Sequence, residues 1–141
     1  EDATVFEYAI CFDCANDMKN SMSQASQNSL TQFIDENLVF KERLHRLLAL
    51  GDTELKTYLS HCAFTGEPIT DSEEYQVLGL FHGPYIQYSA FPYAIGSKGM
   101  EIISNLLSNE TIDEMNRFRD THLGGPPELE SIFDRKPLIM I

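Results

Sequence analysis

The stretch Tyr75-Gln76-Val77-Leu78-Gly79-Leu80-Phe81-His82-Gly83-Pro84-Tyr85-Ile86-Gln87-Tyr88-Ser89-Ala90-Phe91 decides the fold class. It holds two apolar and aromatic runs, Tyr75 to Phe81 and Tyr85 to Phe91, parted by His82-Gly83-Pro84. Glycine accepts a positive φ and proline cannot donate to a sheet ladder, so this triplet ends one strand and turns the chain toward the next. Two strands in a hairpin or a looser meander are predicted. Alternation sends Tyr75, Val77, Gly79 and Phe81 to one face, and Leu78, Leu80 and His82 to the other. Large apolar groups on both faces mean that the sheet is covered on both sides or that one side receives a partner.

The flanking sequence is mainly helical in pattern. Thr4 to Ile10 reads as a strand. Ala15, Met18, Met22, Ala25, Leu30, Phe33 and Ile34 then form an apolar helical stripe. That stripe is thin, because eleven of the 17 residues from Asn16 to Gln32 are Ser, Thr, Asn or Gln, which compete with the backbone for hydrogen bonds. Such a helix needs tertiary support. A stronger helix is predicted from Glu36 to Leu50, with Phe40, Leu44, Leu47 and Leu48 on one face and Gly51 as its stop. Asp52 is placed to cap a short helix sharing Leu55, Tyr58, Leu59 and Cys62 on one side, and Thr65-Gly66-Glu67-Pro68 reads as a turn. Beyond the strands, Ser97 opens a helix with Met100, Ile103, Leu106 and Leu107. Thr111 with Glu114 forms a capping box for another, stopped by Gly124-Gly125. Pro126-Pro127 opens a short helical turn to Phe133, and Pro137 to Ile141 reads as a strand tucked into the sheet. The expected architecture is a single α+β domain over residues 1–141, a small mainly antiparallel sheet packed by several helices.

Composition bounds the function. A chain of 141 residues can bury one core without staples. Lys and Arg number 10 against 22 Asp and Glu, a net charge of −12. Such a surface repels nucleic acid and anionic membranes, so the expected partner is a protein, and a basic one suits the charge. No run of 18 apolar residues and no basic-then-apolar leader occurs, so a soluble, cytoplasmic protein is expected. The chain begins at Glu1 rather than Met, and a truncated N-terminus is expected. Its three cysteines argue against a secreted disulfide framework.

Candidate chemistry centres on those cysteines. Cys11-Phe12-Asp13-Cys14 stands where the first strand should enter a helix, and His61 and Cys62 stand together further on. Two thiolates at a helix N-terminus can grip zinc, or one of them can become a nucleophile as in thioredoxin-like proteins. The stretch Ser60-His61-Cys62-Ala63-Phe64-Thr65-Gly66 resembles a zinc knuckle in which Thr65 replaces the second cysteine. The strand, C-x-x-C and helix together resemble the second half of a treble-clef zinc site, whose first knuckle would lie upstream of Glu1. Zinc held by Cys11, Cys14, Cys62 and His61 is therefore one expectation, and plain burial of these cysteines in the packing is another. Gly96-Ser97-Lys98-Gly99 resembles the G-x-x-G loop of KH domains, although an extended approach to it favours a simple loop entering a helix. Glu42 and His45 have the E-x-x-H spacing of di-iron bundles without the second pair that such sites need.

His82, Tyr85, Tyr88 and Tyr93 are polar-tipped aromatic candidates for an interaction surface, with core packing as the competing role. No nucleophile elbow, P-loop or H-E-x-x-H motif is present. An acidic, non-enzymatic binding or protein-interaction domain with a partial structural zinc site is expected. The alternatives are a thiol-disulfide oxidoreductase using Cys11 and Cys14, and an acidic inhibitor or immunity-like protein.

Overall fold

A computed structural model describes residues 7–51 and 53–122. In chain order these hold α1 (Phe12–Ser21), α2 (Gln24–Glu36), α3 (Leu38–Leu50), α4 (Leu55–Leu59), a 3-10 turn (Ile69–Asp71), β1 (Tyr75–Leu78), β2 (Phe81–His82), β3 (Tyr85–Ile86), β4 (Tyr93–Gly96), α5 (Ser97–Leu106) and α6 (Asn109–His122). Six helices with antiparallel strand pairs make this the α+β arrangement expected, counted among the described residues. By its contacts the chain divides into two units, one of residues 30–105 and one of residues 1–29 with 106–141.

In the 30–105 unit, β1 pairs antiparallel with β4 in the register Tyr75↔Gly96, Gln76↔Ile95, Val77↔Ala94 and Leu78↔Tyr93. The predicted long hairpin shrinks to Phe81↔Ile86 and His82↔Tyr85, turning at Gly83 with φ 59. A positive φ followed by proline suits a type II′ turn, so the breaker residues were read correctly. The strand lengths were not. The first run stops at Leu78, and its partner is Tyr93–Gly96 rather than the run ending at Phe91. Burial explains that choice: Tyr93, Ala94, Ile95 and Gly96 are all buried, with Cys62 bridging Ala94 in parallel beyond them. Phe64 stacks on Phe40 at 5.1 Å and meets the Tyr93 ring edge-on at 5.9 Å, closing the core around β4.

Helix ends follow local chemistry. Asn37 Oδ1 accepts the Phe40 N–H at 2.8 Å, so α3 starts at Leu38, two residues after the predicted Glu36. Gly51 ends it with φ 59, as predicted, its N–H reaching Leu47 O. Glu54, not Asp52, precedes α4, and Asp52 lies outside the described residues. The G-x-x-G stretch passes straight from β4 into α5. A Cβ added at Gly99 would stand 3.0 Å from Cys62 Sγ, and one at Gly96 would strike Ser72 Oγ, so these glycines serve close packing.

Arg43 binds the unit together. It is only 5% exposed, and it donates to Ala90 O at 3.0 Å, Tyr58 O at 3.1 Å and Pro92 O at 2.8 Å. Its guanidinium carbon also lies 5.8 Å from the centre of the Tyr58 ring. One side chain thus ties α3 to the end of α4 and to the segment that enters β4.

In the other unit, α1 packs against α6. The predicted continuous stripe from Ala15 is interrupted after Ser21, and α2 begins at Gln24. Ser23 Oγ accepts the Ser26 N–H at 3.2 Å and acts as its cap. Ser108 does the same for α6, accepting the Thr111 N–H at 3.1 Å, so Thr111 sits buried within the first turn and is not the cap the sequence suggested. The two caps are reciprocal. Ser108 N–H donates to Ser26 Oγ at 2.8 Å, and Ser23 N–H donates to Thr111 Oγ1 at 2.9 Å. Residues 7–10 carry no strand, which corrects that part of the Thr4 to Ile10 expectation. The rest of that strand, the Gly124-Gly125 stop, the Pro126 turn and the Pro137 to Ile141 strand lie outside the described residues. No described helix is long and apolar enough to cross a membrane.

Replacing Arg43 with Met should lower stability by about 3 kcal/mol or more, since several charge-assisted hydrogen bonds go together. Arg46→Gln, at an exposed site, should change it by less than about 0.5 kcal/mol. Urea unfolding followed by circular dichroism checks both; similar losses in the two variants would contradict the role given to Arg43.

Candidate functional site

Cys11 is the N-cap of α1, in extended conformation with φ −77 and ψ 163. Its sulfur accepts the Cys14 N–H at 3.5 Å. That bond lowers the Cys11 pKa, helped by the Cys14 thiol and opposed by the charge of Asp13. Cys14 is driven the other way, because its thiol hydrogen bond to Cys11 and the negative charge on Cys11 both favour its protonated form. Cys11 is exposed and Cys14 half-buried, and no disulfide joins them. An exposed thiol with a lowered pKa beside one with a raised pKa is the division of labour a dithiol nucleophile needs. A groove of about 260 Å3 opens beside Cys14, lined also by Asp17, Met18, Phe118 and the Glu114–Arg117 ion pair.

The knuckle-like turn forms as a turn. Cys62 N–H donates to Glu67 O at 2.8 Å, Gly66 N–H reaches Cys62 O at 2.9 Å, and Gly66 takes φ 75. Cys62 is nevertheless 2% exposed, packed where α5 approaches at Gly99. His61 is exposed and its Nδ1 lies 2.9 Å from Ser60 Oγ. Cys11 and Cys14 belong to one unit, His61 and Cys62 to the other. Among the described residues, no three His, Cys, Asp or Glu side chains gather closely enough to hold a metal ion. The gathered donors among the described residues thus fall short of the roughly four that zinc takes.

The aromatic candidates divide. Tyr85 is 72% exposed and His82 is exposed too. Tyr88 is half-buried against the Tyr58 ring at 5.0 Å. Tyr93 is 3% exposed and is part of the core, so its expected place on an interaction surface is corrected. Burial also pushes its phenol pKa up to about 12. Tyr75, Val77 and Phe81 are exposed by 57%, 50% and 59%, joining Tyr85 as large apolar groups in water. They were not singled out from the sequence, yet strand alternation had already placed all three on one face.

A second cleft, of about 320 Å3, lies between α3 and the α4 to Gly66 segment, with Glu42, Arg43, Arg46, Ser60 and His61 among its lining. Sequence reading missed it. The available signal was Arg43 at a stripe position between Phe40 and Leu47, where an apolar residue is the norm.

No protein-family model matches this chain, and neither a curated protein nor a solved structure does.

In the folded chain, iodoacetamide should label Cys11 first and with an apparent pKa below that of an ordinary thiol. Cys14 should follow and Cys62 should react only on unfolding. Peptide mass spectrometry across a pH series checks the order, and equal rates for Cys11 and Cys14 would contradict the N-cap geometry.

Proposed function

We propose that this chain is a non-catalytic protein-interaction module that engages a basic partner through β1 and the β2–β3 hairpin. The carrying observation is that Tyr75, Val77, Phe81 and Tyr85 each leave half or more of their surface in water within one short stretch of chain. Apolar surface is worth about 25 cal/mol per Å2 when buried, so such residues grouped on strands favour a covering partner. Tyrosine suits that role because its ring is apolar and its tip tolerates water. Exposed Asp71, Glu73 and Glu74 immediately precede β1, and the whole chain carries −12. Acidic flanks around apolar anchors complement a basic surface and speed its encounter. An acidic inhibitor or immunity-like protein, acting in the cytoplasm, is one form of this reading; nucleic acid and membrane partners do not suit it.

A photo-cross-linking residue at Tyr85 should capture a basic protein in cells far more often than the same residue at exposed Lys41. Phe81→Ala and Tyr85→Ala should each weaken that complex about tenfold or more, the loss of one interface anchor. Equal capture at the two positions would remove the proposal.

A second reading is favoured by one observation, the Cys11 thiol capping α1. A Cys11 thiolate would attack a substrate disulfide and release one substrate thiolate. Cys14 would then displace the second, leaving an oxidised Cys11–Cys14 pair that an external dithiol reduces. Dithiothreitol-driven insulin reduction should be accelerated by the chain and not by Cys11→Ser; no acceleration by either would exclude this chemistry. The same two thiols could supply half of a zinc site. Protection of both from iodoacetamide until a chelator is added would mark that case.

A further inference from the structure

The cleft between α3 and the α4 to Gly66 segment has a charge pattern opposite to that of the chain. Its lining includes two arginines, Arg43 and Arg46, against one carboxylate residue, Glu42, in a molecule with net charge −12. Arg43 is 95% buried, since only 5% is exposed, and Nη1 and Nη2 make three hydrogen bonds to backbone carbonyls. A guanidinium has five N–H donors, which leaves Nε–H and one Nη1 hydrogen without an acceptor among the described residues. No fully buried side-chain nitrogen or oxygen there lacks a partner, so Nε is not sealed in protein. Arg43 is among the residues that line the cleft. Arg46, one turn along α3, is exposed and forms no ion pair among the described residues.

Ser60 and His61 contribute to the same cleft from the segment after α4. In the tautomer where the Ser60 hydroxyl donates to His61 Nδ1, at 2.9 Å, Nε2 bears the proton and is a further donor. The cleft therefore combines one buried guanidinium held by three carbonyls, one exposed guanidinium and neutral donors. A volume of about 320 Å3 is at the small end of metabolite sites and too small for a macromolecular surface. Terminal phosphate offers three oxygens to separate donors, whereas carboxylate offers two, and guanidinium forks match phosphate geometry.

We propose that this cleft binds the phosphate group of a small phosphorylated compound, with Arg43 Nε as the fixed donor and Arg46 closing over the anion. The site shares no lining residue with the β1 and hairpin surface, so either can fail without the other.

Inorganic phosphate, titrated into the full chain at constant ionic strength and followed by 1H-15N NMR, tests this. Saturable shifts are expected at the Ser60, His61 and Gly66 amides and at Arg43 Nε. Arg46→Gln should weaken binding at least fivefold, and Glu42→Gln, which removes the repelling carboxylate, should tighten it at least twofold. Shifts that fail to saturate or are reproduced by chloride would overturn the site. So would binding that both variants leave unchanged. Acetate binding as tightly as phosphate would overturn the assignment to phosphate.

Discussion

A buried guanidinium that forms no ion pair among the described residues governs the 30–105 unit. Taking Arg43 out of water is costly, and burial accordingly lowers its pKa, yet arginine keeps its charge under ordinary conditions. Its charge is met by three carbonyl dipoles and the face of Tyr58. Those carbonyls belong to Tyr58, Ala90 and Pro92, so satisfying one side chain fixes both the end of α4 and the approach to β4. β4 in turn sets the register of β1. With β4 filling the interior, β1 turns Tyr75 and Val77 outward, and that placement leaves both side chains in water.

The other unit solves a different problem with hydroxyl groups. Its first helices come from a stretch poor in apolar residues, where side-chain hydroxyls would ordinarily compete with helix formation. Here the competition is used. Ser23 and Ser108 each cap one helix, and Ser26 and Thr111 each receive the backbone N–H of the opposite cap residue. Donors that a helix start leaves orphaned are thereby paired away from water. Four side chains supply what a wider apolar stripe would otherwise have to supply.

The three cysteines show how position overrides residue type. Cys11, exposed at a helix start, gains thiolate character from a backbone N–H. Cys14, one turn on, has its pKa raised by the hydrogen bond to its neighbour and by that neighbour's charge. Cys62 lies buried beside a glycine whose missing Cβ makes room for its sulfur. A metal-ligand count from sequence treats the three as equivalent; their surroundings separate an exposed capping thiol, its neighbour and a packing group.

Local chemistry was legible in the sequence wherever it acts within a few residues. Gly51 as a helix stop, His82-Gly83-Pro84 as a turn, Ser97 as a helix start and the α+β class all depend on φ preferences and short-range periodicity. What depends on distant partners was not. The pairing of β1 with β4, the break between α1 and α2, and the use of Ser108 rather than Thr111 as a cap follow from residues far away in the chain. Likewise the sequence displayed tyrosines and cysteines without saying which face water, because exposure is a property of packing. Composition and spacing determined the acidic charge, the element types and the C-x-x-C pair. Only tertiary structure decided that Tyr93 is core while Tyr85 is surface, and that Arg43 is buried with donors to spare, since each outcome is set by which backbone happens to lie alongside.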